Sequence, residues 1–114
     1  IYQGEEIGMT NVKFNSIEDY NDIETLGFYK KNIEEGRTVE DMMEAVWANS
    51  RDNARTPMHW NNKDNAGFTK GKPWLQMNPN YPDINVEAAL EDSNSVFYHY
   101  QKCLLHLYIQ WALN

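Results

Sequence analysis

Two carboxylates stand side by side at Glu5 and Glu6, directly after Gly4, and two guanidinium groups stand close together at Arg51 and Arg55. Paired carboxylates are what acid–base work on a substrate requires. A planar guanidinium fork suits two hydroxyl groups or one carboxylate. Each has a plainer reading beside it: Glu5 and Glu6 as cap or surface acids, Arg51 as an arginine that pins its own loop. His59, His99 and His106 are scattered, and no Cys/His cluster has the spacing of a zinc site. Cys103 is the single cysteine, so no disulfide forms within the chain. With a formal net charge of −7, nucleic-acid backbones and anionic membranes are poor partners. A neutral ligand such as a sugar meets no such objection. No cofactor motif is present.

Several elements must position these groups. Residues 1–9 read as a buried strand and its exit, since Ile1, Tyr2 and Ile7 are β-formers and Gly4 and Gly8 permit tight backbone. A lone strand has nothing to pair with, and the chain opens on Ile1 inside an apolar run, so the expectation is that its neighbours lie in sequence beyond this chain. Ser16, with Asp19 three residues on, predicts a helix start, with Ile17, Tyr20, Ile23 and Phe28 as its stripe. Gly27 weakens or ends that stretch, and Gly36 closes the region. Thr38 and Asp41 repeat the cap signal before Met42, Met43, Val46 and Trp47, so a second helix runs to about Asn49 or Ser50. Residues 51–82, dense in Asn, Asp, Gly and Pro, form a long structured loop. Trp60, Phe68 and Trp74 are expected to fill that loop's core rather than offer sugar platforms, and Pro57 fixes its turn. Asn85 caps a short helix through Leu90, and Ser93 or Ser95 begins the last one.

Ordered strings then carry a resemblance. I-Y-Q-G-E-E-I-G-M at residues 1–9 resembles the eighth barrel strand of α-glucosidases in the α-amylase superfamily. R-D-N-A-R-T-P-M-H-W, from Arg51 to Trp60, closely matches the signature of the oligo-1,6-glucosidases and their near relatives, with His59 where the family carries Gln. N-A-G-F-T-x-G-x-P-W at residues 65–74, N-P-N-Y at 78–81, I-N-V-E-A-A-L at 84–90 and S-V-F-Y-H-Y-Q-K at 95–102 follow in family order. The likeness covers residues 1 to about 107. Beyond Leu107 the family reads Leu-Arg-Lys, whereas this chain reads Tyr108, Ile109, Gln110 and Trp111, as a frameshift or truncation would produce.

The resemblance implies an α/β fold, the C-terminal part of a (β/α)₈ TIM barrel made mostly of helix and loop. The last strand would be 1–9, a pocket-side excursion 10–92 and the last helix 93–112, with the other barrel strands and a C-terminal β-sandwich as the structural partners. It implies a retaining glycoside hydrolase, which needs a nucleophile and an acid about 5–5.5 Å apart. In the family these carboxylates stand on earlier strands, so Glu5 and Glu6 are not assigned to them and no catalytic residue is expected here. What carries over is substrate binding: Arg51 matches the family arginine that contacts the terminal glucose, and Glu24, in D-I-E-T, matches the glutamate that contacts the next unit. From the residues alone Glu24 is a helix-surface acid. Arg55 is expected to tie the loop to the strand ends. The implied protein is bacterial, cytoplasmic and exo-acting on α-1,6-linked glucose, with an oligosaccharide as substrate and neither metal nor cofactor. Ala54 weighs against trehalose-6-phosphate hydrolases, which often carry Ser there. A non-enzymatic reading, an inactive helical module or gene relic, stands as the rival.

Overall fold

A computed structural model describes residues 1–114. Its helices begin where short polar side chains can receive the first free N–H groups of the turn. Helix α1, Ile23–Glu34, starts at Asp22, whose carboxylate accepts the Glu24 N–H at 3.3 Å. Helix α2, Val39–Asn49, starts at Thr38, which accepts from the Asp41 N–H at 3.2 Å. Helix α3, Val86–Glu91, starts at Asn85, which accepts from the Ala88 N–H at 2.8 Å. Helix α4, Val96–Leu113, follows Ser95, whose hydroxyl instead donates to the Ala89 carbonyl at 2.7 Å and ties the helix to α3.

The chain divides into two compact units. One comprises Thr10–Pro57 and Gly71–Pro79. Here α1 packs against α2, joined by a tight reversal in which Gly36 takes φ 93°. The Gly36 N–H donates to the Ile33 carbonyl and the Arg37 N–H to the Asn32 carbonyl, a pairing that closes the helix end with a left-handed residue. Met43 and Val46 of α2 are buried with Val12, Phe14, Tyr20 and Leu75. Each such side chain contributes about 1.5–3 kcal/mol on leaving water. Trp47 lies half-buried beside them and donates its indole N–H to the Phe14 carbonyl at 2.9 Å. The second unit comprises Ile1–Met9, Met58–Lys70 and Asn80–Asn114. Ile7, Met58 and Ala89 form its small core, with Met9, Val86 and Phe97 against it. From Gln101 onward α4 is exposed on every side.

Three sequence expectations change. Residues 1–9 form no strand: Gly4 at φ 98° and Gly8 at φ 74° turn the backbone around a short 3-10 helix, Glu5–Ile7. The turns pair the segment's polar groups locally, the Gly8 N–H donating to the Glu5 carbonyl and the Met9 N–H to the Gly4 carbonyl, each at 3.0 Å. Ser16 caps only the single turn Ile17–Asp19, so α1 starts at Ile23 and runs through Gly27 without a break. Trp60, Phe68 and Trp74 are each about half or more exposed, at 50%, 46% and 69%, so they do not fill a loop core. That part of the loop is organised by backbone instead: Asn65 and Ala66 at φ 52° and Gly67 at φ 68° bend it so that the Ala66 carbonyl accepts from both Trp60 and Asn61. The second helix, the loop character of 51–82, the Asn85 cap and the closing role of Gly36 stand as expected.

Candidate functional site

Glu5 and Glu6 are spent on their own turn. The Glu5 carboxylate accepts the Tyr2 N–H at 3.1 Å, and the Glu6 carboxylate accepts the Gly4 N–H at 2.8 Å. That geometry suits caps.

Arg51 and Glu24, distant in sequence, meet. Ser50 ends α2 and caps the following 3-10 turn, Arg51–Ala54, by accepting the Asp52 N–H. Arg51 therefore leaves the backbone where α2 stops, beside the start of α1. Its Nε lies 3.1 and 3.2 Å from the two Asp22 carboxylate oxygens, and its Nη2 lies 2.6 Å from Oδ1. Its Nη1 lies 3.2 Å from Glu24 Oε1. The Asp22 side chain is 2% exposed, whereas those of Arg51 and Glu24 are 47% and 74% exposed. The trio thus grades from a buried anchor to a solvent-facing pair. Asp22, Glu24, Phe28 and Arg51 line an open cleft of about 320 Å³, whose floor includes Val46 and Ser50.

The electrostatics follow from these contacts. The Arg51 guanidinium beside Asp22 holds its carboxyl well below the usual carboxylate range, against the opposing effect of burial, and Thr25 and backbone N–H groups add to that. Asp22 in turn raises the Arg51 pKa, so the pair is ionised throughout the physiological range.

A second carboxylate sits behind the first. Asp52 is fully buried, and its Oδ2 accepts the Asn21 and Asp22 N–H groups at 2.7 and 2.9 Å. Its Oδ1 has no hydrogen-bond donor, and its nearest cation is Arg55 Nη1 at 3.6 Å. Arg55 also comes within 4.0 Å of Asp22. The structural role expected of Arg55 is thus seen with a different partner: it faces this buried acid pair, not strand ends.

Asp22 and Asp52 were not singled out from sequence. The signal for Asp22 was present, an Asp directly before Ile23 at a helix start, but Ser16 offered an equally good cap. Asp52 carried no signal beyond its place inside R-D-N-A-R. His59 is fully buried in the other unit, with Nδ1 2.7 Å from the Ile84 carbonyl and no partner at Nε2. Burial lowers its pKa, opposed by the hydrogen bond to Ile84. His99 lies exposed on α4, as does Cys103.

Comparison with known proteins identifies the family. A profile of the alpha-amylase catalytic domain matches residues 1–107. The chain is 62% identical over 105 residues to an oligo-1,6-glucosidase of Parageobacillus thermoglucosidasius, covering 91% of this chain and 19% of that enzyme. It is 54% identical over 104 residues to the trehalose-6-phosphate hydrolase of Escherichia coli (strain K12), covering 91% and 19%. The crystal structure of Bacillus licheniformis trehalose-6-phosphate hydrolase superimposes with a TM-score of 0.85 at 52% identity, covering 90% of this chain and 18% of that one. The chain spans about a fifth of the length of these relatives. The expected fold class stands: a piece of the family's barrel domain, here built of helix and loop. With its signature strings in order and a profile match over nearly its whole length, the chain belongs to the alpha-amylase catalytic domain family.

Proposed function

We propose that this chain forms part of the substrate-binding side of a retaining, exo-acting α-glucosidase that removes α-1,6-linked glucose from the non-reducing ends of isomalto-oligosaccharides. The observation that carries the proposal is the meeting of Arg51 and Glu24 at 3.2 Å in an open cleft. One supplies hydroxyl donors and the other hydroxyl acceptors, as a sugar requires. The high identity to several oligo-1,6-glucosidases supports the linkage. The bond-breaking carboxylates belong, on this reading, to other strands of the catalytic domain, so the 114-residue chain alone turns over no glucoside. A cytoplasmic location accompanies this reading. No helix is long and apolar enough to cross a membrane.

The likeness to trehalose-6-phosphate hydrolases favours a second reading, in which the sugar carries a phosphate. The cleft speaks against it. Its charged lining is Asp22, Glu24 and Arg51, two carboxylates against one guanidinium. A phosphate carries roughly −1.5 to −2 at pH 7 and would meet the exposed Glu24 carboxylate.

The test is a graft. Residues 1–105 replace the matching stretch of the Parageobacillus oligo-1,6-glucosidase, and kcat/KM is measured on isomaltose and trehalose 6-phosphate. Retained preference for isomaltose supports the proposal. Loss of isomaltose turnover in a folded graft, or a switch to the phosphorylated sugar, refutes it.

A further inference from the structure

The geometry points to Asp22 as the positioning residue of the cleft, the group that fixes which edge of Arg51 is presented to a sugar. This inference rests on Arg51 being a sugar contact.

Arg51 alone is a poor recognition element. It is long, nearly half exposed and attached to the first residue of a short turn, so an untethered guanidinium would sample many rotamers and lose that freedom on binding. Asp22 removes the freedom beforehand. Its carboxylate engages Nε and Nη2, one edge of the fork, and accepts the Arg51 backbone N–H at 3.3 Å as well. Side chain and backbone of the same arginine are thereby held by one acid. The opposite edge, with Nη1, is left toward Glu24 and the cleft. A donor and an acceptor 3.2 Å apart on a preset edge match adjacent hydroxyls on a pyranose ring, one accepting from Arg51 and its neighbour donating to Glu24.

Asp22 can do this because it is itself immobilised. It is the N-cap of α1, its own N–H is taken by Asp52, and the Thr25 hydroxyl donates to its Oδ2 at 2.9 Å while lying 3.1 Å from Ser50 Oγ. A buried carboxylate is costly unless paired and hydrogen-bonded. Beyond its cap, the hydrogen bonds of the Asp22 carboxylate go to Arg51 and to Thr25, with Arg55 more distant at 4.0 Å. With its side chain 2% exposed and its oxygens taken up by Arg51 and Thr25, Asp22 acts through Arg51.

The test separates positioning from stability. Asn caps a helix about as well as Asp, so Asp22→Asn keeps the cap and removes the charge. Thr38→Ala weakens the cap of α2 without touching Arg51 and serves as the destabilised control. In the 114-residue chain at 10 °C, nitrogen-15 NMR follows exchange of the Arg51 Nε–H with water. In the grafted enzyme, kcat/KM is measured on isomaltose for the same variants and for Arg51→Ala. The expected result is that Asp22→Asn accelerates Nε–H exchange about tenfold and lowers kcat/KM about tenfold, whereas Thr38→Ala lowers Tm and moves neither. If Arg51→Ala depresses kcat/KM while Asp22→Asn leaves exchange and kinetics unchanged, the positioning role is overturned and the sugar contact survives. If Arg51→Ala is itself without effect, the sugar contact fails and the positioning role with it.

Discussion

Replacing Asp52 by alanine should be among the most destabilising changes in the unit that carries the cleft, although Asp52 touches neither the cleft nor a sugar. Its carboxylate is fully buried and receives the N–H groups of Asn21 and Asp22 at 2.7 and 2.9 Å. Alanine leaves both donors without their acceptor. An orphaned buried donor costs about 1–3 kcal/mol, and hydrogen bonds to a charged acceptor lie toward the upper part of that range. The Asp22 N–H is buried and bears the full penalty, while that of Asn21 lies nearer to water and bears less. The lost pairing with Arg55, at 3.6 Å and with Arg55 43% exposed, adds less than about 1 kcal/mol. The total comes to about 2–4 kcal/mol. At roughly 4 °C per kcal/mol for a domain of this size, Tm falls by about 8–16 °C. Asp52→Asn retains an oxygen where Oδ2 sits but turns a buried NH2 toward Arg55, so the asparagine variant loses less than the alanine variant and more than nothing. Thermal melts of the 114-residue chain followed by circular dichroism measure both variants. A Tm drop below about 2 °C for the alanine variant, or equal drops for alanine and asparagine, would refute the claim that Asp52 acts as an acceptor for the start of α1.

Other predictions concern separate features. Burial holds the folded-state pKa of His59 below its ordinary value of about 6.5, so below that pH the unfolded chain binds the proton more readily and stability falls on acidification from pH 7 toward 5. His59→Gln, which can still donate to the Ile84 carbonyl, should flatten urea-melt stability across that window; an unchanged slope would show that His59 is not the group titrating. Asn85→Ala removes the acceptor of the Ala88 N–H and should cost about 1 kcal/mol in the same melts, with a loss under a few tenths counting against the cap. Gly67→Ala forces a Cβ to within 2.5 Å of the Asn61 amide nitrogen at φ 68° and should destabilise by about 1–2 kcal/mol, whereas a neutral result would mean that the loop relaxes freely.

The parts of this structure legible in sequence are those set by near neighbours. Thr38, Asp41 and the spacing of Met42, Met43, Val46 and Trp47 specify α2 from cap to last turn, and the structure follows them. The start of α1 was not legible, because Ser16 and Asp22 are both competent caps and the choice falls to Asp52, which accepts the backbone N–H groups of residues 21 and 22 from thirty positions away. Residues 1–9 contain β-formers, yet the left-handed Gly4 and Gly8 turn their path. At the cleft, motif resemblance singled out Arg51 and Glu24 separately. No periodicity could reveal that they converge, or that Asp22 holds the other edge of the guanidinium, since these contacts span more than twenty-five residues. The burial of His59 is hidden for the same reason, its partner being the Ile84 carbonyl. The exposure of Trp60 and Trp74 runs against the usual expectation for large aromatics and carries no local sequence signal.

The central claim is that Arg51 in the cleft beside α1 binds a neutral glucosyl unit, and the most direct measurement is kcat/KM on isomaltose for the grafted enzyme with Arg51 intact and with Arg51→Ala. Loss of charge-assisted hydrogen bonds to hydroxyl groups predicts a fall of about 10- to 150-fold, read on the folded fraction because the variant also leaves the buried Asp22 carboxylate without its guanidinium and lowers Tm. A variant that is folded at the assay temperature and hydrolyses isomaltose as fast as the parent graft would contradict the account.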